Sequence, residues 1–134
     1  MIVADSNLVA YLLLPGPLQA TASDVLRKDP RWFAPPLWQS EFRNILFAYI
    51  RTQGMSRTTA LAHWESAMML LGPNERSVDA ARVIEKSDHA GLSAYHAEFV
   101  VLAEELDAPL VTSDKVILKA FPARALTPGA FLRK

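Results

Sequence analysis

The chain has 134 residues, no cysteine, and 14 Lys plus Arg against 14 Asp plus Glu, for a formal net charge of zero. The absence of cysteine excludes disulfides and thiolate zinc sites, and the balanced charge argues against non-specific electrostatic binding to nucleic acid. A hydrophobic content of 51% lets one domain, residues 1–134, bury a core without staples. No apolar run approaches a membrane span and no signal-peptide pattern opens the chain, so the expectation is a cytoplasmic protein with no membrane partner.

In chain order, residues 2–4 read as a short buried strand and residues 6–13 as a short helix, stopped by Pro15-Gly16-Pro17. A second helix is predicted over 18–27 and broken by Asp29-Pro30. Residues 32–34 suit a strand, and Pro35-Pro36 starts the next helix at its tolerated first turn. That helix, 37–52, has a broad apolar face of Leu37, Phe42, Ile45, Leu46 and Tyr49, and Gly54 ends it. Ser56 caps a helix towards Leu71, with Gly72-Pro73 as its stop. Residues 74–77 suggest a short strand and 78–86 a helix. Ser93 caps the clearest helix, where Tyr95, Phe99, Leu102 and Leu106 recur every three or four residues. Residues 110–112 form a buried strand, 115–120 a short helix and 124–126 a last strand. Strands alternating with helices imply an α/β fold around a parallel sheet.

Chemistry concentrates in three carboxylates. Asp5 and Asp114 each follow a predicted strand, and parallel sheets bind ligands outside the carboxyl ends of their strands. Glu41 lies at helical spacing with Leu37, Ile45 and Ala48, a stripe expected to be buried. An aspartate after a strand can simply cap the next helix, and Glu41 alone could be satisfied by Arg43 or a serine. Carboxylates removed from water are costly unless they are paired, protonated or bound to a cation. Three at one crevice suit a divalent metal and metal-assisted phosphate chemistry. Asn44 is placed to hold Glu41, while Ser6, Asn7, Thr112 and Ser113 flank the aspartates and could orient them.

Four fragments carry a family resemblance. They are Met-Ile-Val-Ala-Asp-Ser-Asn at 1–7, Pro-Leu-Trp-Gln-Ser-Glu-Phe-Arg-Asn at 36–44, Gly-Leu-Ser-Ala-Tyr-His-Ala-Glu-Phe-Val at 91–100, and Leu-Val-Thr-Ser-Asp-Lys at 110–115. In this order and at these separations the chain resembles the PIN domain, particularly the VapC-type toxin of toxin–antitoxin pairs. The resemblance implies a three-layer α/β/α sandwich with a central parallel sheet. It also implies a Mg²⁺ or Mn²⁺ site, endoribonuclease activity on an RNA substrate, a homodimer and a cognate antitoxin protein. Asp5, Glu41 and Asp114 match the family's acidic residues. The fourth position departs from the pattern, with His96 standing where the family has aspartate. Mg²⁺ prefers hard oxygen ligands, whereas imidazole suits zinc, copper or nickel better. Glu98, two residues on, points to another face of its helix and makes a poor substitute.

His96 is open to three readings: a softer metal ligand in a working nuclease, the mark of a weakened or dead site, or a bystander. His63 and His89 lack a ligand context and read as structural. Met68-Met69-Leu70-Leu71 reads as packing. Arg43, Arg51, Lys115 and Lys119 are candidates for phosphate contacts or members of a solvated charged face. The leading functional reading is a metal-dependent endoribonuclease toxin. The alternative is a non-catalytic PIN-like protein that binds an antitoxin or RNA. A phosphatase or receiver domain ranks below both, because Asn7 occupies the place of a second phosphatase aspartate and no acidic pair precedes a phosphoacceptor.

Overall fold

The computed structural model describes residues 1–134. Its elements run β1 (Ile2–Ala4), α1 (Ser6–Leu13), α2 (Gln19–Lys28), β2 (Trp32–Phe33), α3 (Leu37–Gln53), α4 (Arg57–Leu71), α5 (Ala80–Ala90), α6 (Ala94–Glu105), β3 (Leu110–Val111), α7 (Lys115–Ala120), β4 (Ala125–Leu126) and α8 (Pro128–Leu132). The strands form one four-stranded sheet in the order β2-β1-β3-β4, and every pairing is parallel. The fold is the expected three-layer α/β/α sandwich.

Register fixes the working edge. Ala4 pairs with Val111, and Val111 with Leu126. Asp5 N–H donates to the Val111 carbonyl and Thr112 N–H to the Leu126 carbonyl, so the ladder continues just past the strands. Asp5, Thr112 and Thr127 therefore leave the sheet side by side at its carboxyl edge. The strand residues behind them, Ile2, Val3, Ala4, Leu110 and Val111, are completely buried, as the continuous apolar runs of an inner parallel sheet require.

The helices deviate from expectation where tertiary packing overrides local pattern. On α3 the buried stripe is Trp38, Phe42 and Leu46, not the stripe of Leu37, Ile45 and Ala48 that carries Glu41. Leu37, Glu41 and Ile45 are only half-buried and Ala48 is exposed. The indole of Trp38 stacks on Trp64 of α4 at 5.5 Å and meets Phe42 at 6.2 Å. Aromatic packing thus rotates α3 so that Glu41 sits at the margin of the core. Gly54 ends α3 in the left-handed region, with φ 69°, which favours glycine. Tyr95 on α6 is exposed, and the buried face of that helix is Ala97 and residues 99–103.

Residues 74–77 do not form a strand. Gly72–Asn74 make a 3₁₀ turn, and Glu75 makes one isolated bridge to Ala34. Pro73 explains the turn, because its fixed φ suits a tight helical start. Glu75 is held by side chains instead: Trp38 Nε1 donates to its Oε1 at 2.8 Å and Gln39 Nε2 at 2.7 Å. The terminal α8 was not expected from the pattern. Thr127 caps it by accepting from Ala130 N–H, with Pro128 at the first position. No helix is long and apolar enough to cross a membrane.

Candidate functional site

Both strand-end aspartates are helix caps. Asp5 is extended (φ −66°, ψ 150°) and its Oδ1 accepts from Asn7 N–H at the start of α1. At 3.5 Å that bond is long. Asp114 Oδ1 caps α7 more firmly, accepting from Val116 and Ile117 N–H at 2.9 and 3.0 Å. The plain structural role is therefore filled in both cases, and one oxygen of each carboxylate remains for other partners.

Those partners tie the site together across the chain. Thr112 is fully buried, and its hydroxyl donates to Asp5 Oδ2 at 2.7 Å while accepting from Asp114 N–H at 2.9 Å. Ser6 Oγ donates to Glu41 Oε1 at 2.6 Å. His96, held in the first turn of α6 by its N–H to Ser93 Oγ, places Nε2 3.0 Å from Asp114 Oδ2. The flanking hydroxyls thus donate to a carboxylate on another element rather than to that of their own aspartate. Ser6, beside Asp5, holds Glu41, and Thr112, near Asp114, holds Asp5. Ser6 takes the place expected for Asn44, while Arg43 bonds Ser40 and lies over Trp64.

Burial and neighbouring charges act on the carboxyls of this group. Burial pushes the Asp5 carboxyl above its ordinary range. The Thr112 hydroxyl and Asn7 N–H work against that rise, and the Asp114 charge adds to it. Burial also raises Glu41; the Ser6 hydroxyl opposes the rise, the Asp5 charge adds to it, His96 opposes it and Glu98 adds to it. Burial raises Glu98 itself. The position of Glu98 on the helical wheel argues against coordination, but a charge acts beyond ligating distance. Glu98 is therefore an electrostatic neighbour of the crevice that sequence reasoning set aside. Its half-buried place on a helix otherwise rich in Ala, Val and Leu is the signal that could have found it.

As the side chains lie, no three carboxylate or imidazole groups converge closely enough to hold one ion. Each is engaged with a hydroxyl, an N–H or another member of the group. The donor chemistry nonetheless fits a divalent cation. Asp5 and Glu41 are hard oxygen donors whose ionised forms are disfavoured by burial and by a neighbouring carboxylate, Asp114 for Asp5 and Asp5 for Glu41, and a cation relieves both effects. A cation held partly through water needs less convergence than one ligated directly. His63 and His89 lie against other surfaces, His63 beside Tyr49 and Met55, and His89 beside Arg82 and Lys86.

A separate apolar groove of about 370 Å³ runs between α3 and α4, lined by Leu46, Phe47, Ile50, Ala60, Leu61 and Trp64, with Arg43 and Arg57 at its margin. Phe47 and Leu61 are more than half exposed, at 57% and 62%.

The structure is thus a parallel α/β sandwich with acidic side chains linked through hydroxyls at the carboxyl edge of its sheet. The model of the PIN domain matches residues 2–121, and the chain belongs to that family. No curated protein sequence matches it significantly. Among solved structures it is similar to PAE2754 from Pyrobaculum aerophilum, with a TM-score of 0.77 at 19% identity over 98% of this chain and 93% of that one. It is also similar to a chain of a toxin–antitoxin complex from Klebsiella pneumoniae, with a TM-score of 0.66 at 16% identity over 96% and 98%. FitAcB from Neisseria gonorrhoeae gives a TM-score of 0.71 at 15% identity over 96% and 99%.

Proposed function

We propose that the chain is a divalent-metal-dependent endoribonuclease acting as the toxin of a type II toxin–antitoxin system. Asp5, Glu41 and Asp114 are its catalytic carboxylates, and His96 is a further ligand to the cation. One observation carries the reading: two carboxylates, Asp5 and Glu41, are drawn out of water at the carboxyl edge of a parallel sheet and held there by the buried hydroxyls of Thr112 and Ser6, with the Asp114 charge acting on Asp5 and the Asp5 charge on Glu41. A fold spends stability on such a pair when a cation or a reaction uses it. Mg²⁺ or Mn²⁺ bound there would polarise the scissile phosphate and lower the pKa of a water. The chain's own work is positional. Thr112 aims Asp5, Ser6 aims Glu41, and α7 fixes Asp114. With a net charge of zero, attraction of the RNA backbone falls to the cation and to local cations such as Lys115.

The partner reading is supported by the α3–α4 groove, whose apolar floor and flanking Arg43 and Arg57 suit an amphipathic segment with acidic margins. A toxin–antitoxin complex among the similar structures agrees with it. A homodimer and a cytoplasmic setting belong to the same proposal.

A second reading has its own observation. His96 engages an oxygen of Asp114 at 3.0 Å, and a histidine so placed can occupy the cation's position. The protein would then bind RNA or an antitoxin without cutting. Cleavage of single-stranded RNA in Mg²⁺, Mn²⁺ and Zn²⁺ separates the two. If the nuclease reading holds, Asp5→Asn, Glu41→Gln and Asp114→Asn each lose most activity while remaining folded. Cleavage by Glu41→Gln at the parent rate would remove Glu41 from the site.

A further inference from the structure

A cavity of about 310 Å³ adjoins the acidic crevice, bounded by Tyr11, Thr21, Ala22, Ser113, Thr127 and Gly129 among others. Three observations say what kind of group it takes. First, no charged side chain lines it. A phosphate would enter without a cation, close to Asp114, and is excluded on those grounds. Second, its lining is largely apolar, with Leu18, Ala22 and Pro128, and combines one aromatic residue, Tyr11, with three further hydroxyl-bearing residues, Thr21, Ser113 and Thr127. Thr127 already accepts from Ala130 N–H and keeps its own proton to donate. An aromatic face with several uncharged donors suits a planar, polar, uncharged group. Third, its position is tied to the chemistry. Ser113 directly precedes Asp114, and Thr127 leaves β4 level with Thr112. Tyr11 lies on α1 one turn beyond Asn7, on the same face, and six residues from Asp5. Six residues of helix rise about 9 Å. Whatever fills the cavity is therefore within a short covalent reach of a phosphate held at Asp5 and Asp114.

We propose that this cavity seats the base and ribose of a nucleotide flanking the scissile phosphate. Tyr11 stacks on the base, and the hydroxyls of Thr21, Ser113 and Thr127 read its polar edge. Single-stranded RNA is recognised in this manner, by stacking on aromatic rings and hydrogen bonds to splayed bases. The inference rests on the nuclease reading and adds to it a specificity element outside the carboxylates.

The experiment uses the full chain, a 5′-labelled single-stranded hexaribonucleotide of mixed sequence, and two variants, Tyr11→Ala and Thr21→Leu. The first removes the ring and the second fills the cavity. Binding is read by fluorescence anisotropy in Ca²⁺, under conditions where no product forms, so that the cation is present and the reading does not depend on cutting. Cleavage products are sequenced in Mn²⁺, and circular dichroism checks folding. The expected result is binding weakened about tenfold in both variants, the equivalent of one stacked base, with loss of base preference at a single position beside the cut. If Tyr11→Ala does not fold, Thr21→Leu decides alone. A parent that cuts, with variants that bind as tightly and prefer the same base, overturns the cavity assignment and leaves the nuclease reading standing. A parent that neither binds nor cuts the RNA under any metal removes both. Variants that keep RNA affinity but lose binding to the product of the neighbouring gene would reassign the cavity to a protein partner and overturn the proposal.

Discussion

Replacing Thr112 by valine tests whether the cross-chain hydrogen bonds hold the crevice together. The substitution keeps the branched shape and removes one hydroxyl. In the parent that hydroxyl is fully buried, donates to Asp5 Oδ2 at 2.7 Å and accepts from Asp114 N–H at 2.9 Å. A bond to an ionised group is worth about 1.5–3 kcal/mol and a neutral one about 0.5–1.5 kcal/mol. Thr112→Val should therefore lower unfolding free energy by about 2–4 kcal/mol near neutral pH, a loss that a domain stable by about 5–15 kcal/mol survives. The loss should also depend on pH, with a definite sign. The Asp5 carboxyl is raised in the folded protein, and the Thr112 hydroxyl restrains that rise. A raised carboxyl gives its stabilising contribution below the unfolded-state pKa and loses it as pH rises through the folded one. Without Thr112 the folded value moves higher still, so both proteins begin to lose stability at the same unfolded-state pKa but the variant goes on losing it to a higher pH. The gap between the two proteins is thus widest near neutrality and narrows as Asp5 becomes protonated in both. Urea denaturation in EDTA, at neutral and at mildly acidic pH, measures it. A gap that is the same at both pH values, or a neutral-pH loss below about 0.5 kcal/mol, would refute the assignment of Thr112 as the partner of an ionised Asp5.

Glu41→Gln keeps an acceptor for Ser6 and removes a charge that burial and Asp5 disfavour. In EDTA near neutral pH it should melt at or above the parent, and the advantage should vanish as pH falls through the raised Glu41 value; a lower melting temperature at every pH would count against a destabilised charge. His96→Asp should strengthen Mg²⁺ binding in calorimetry and raise Mg²⁺-dependent cleavage. It should also cost the metal-free protein about 1 kcal/mol, because a partly exposed pair with Asp114 becomes a like-charge contact. Equal affinity and equal rates would make His96 a bystander. Trp38→Phe removes the 2.8 Å donor to Glu75 from a fully buried indole and should cost about 1.5–3 kcal/mol in urea denaturation while leaving RNA cleavage unchanged. A loss of cleavage in a folded Trp38→Phe would show that the α3 packing also sets the position of Glu41.

Asp5 and Asp114 were legible because a parallel sheet sends every strand's carboxyl end to one edge, and an apolar run followed by aspartate marks that edge in sequence. The helix after Ser93 was legible for a similar reason, its cap and periodicity being local. Glu41 was found on the right helix but for the wrong stripe. Which face of α3 turns inward is decided by Trp38 stacking on Trp64, a contact between helices that periodicity does not contain. The exchange of hydroxyls, with Ser6 serving Glu41 and Thr112 serving Asp5, depends on strand register and was invisible for the same reason. Residues 74–77 have strand-like flanks, but Pro73 and the side-chain partners of Glu75 settle them as a turn. The five-residue α8 is too short for periodicity, and only its Thr-Pro start announces it.

The bond between Thr112 and Asp5 spans 107 positions, and β1 takes β3 as a central neighbour in the sheet. A ribosome delivers the amino terminus first, at about 5–20 residues per second. Asp5, Ser6 and Glu41 therefore emerge early and wait, without a finished crevice, until Thr112 and Asp114 clear the exit tunnel. A growing or truncated chain lacks both the hydroxyl that aims Asp5 and one of the three acidic groups. Whatever chemistry the crevice performs waits until Thr112 and Asp114 have emerged and paired with the early segments. If the chain is the nuclease proposed above, that order of emergence keeps an unfinished copy from cutting RNA.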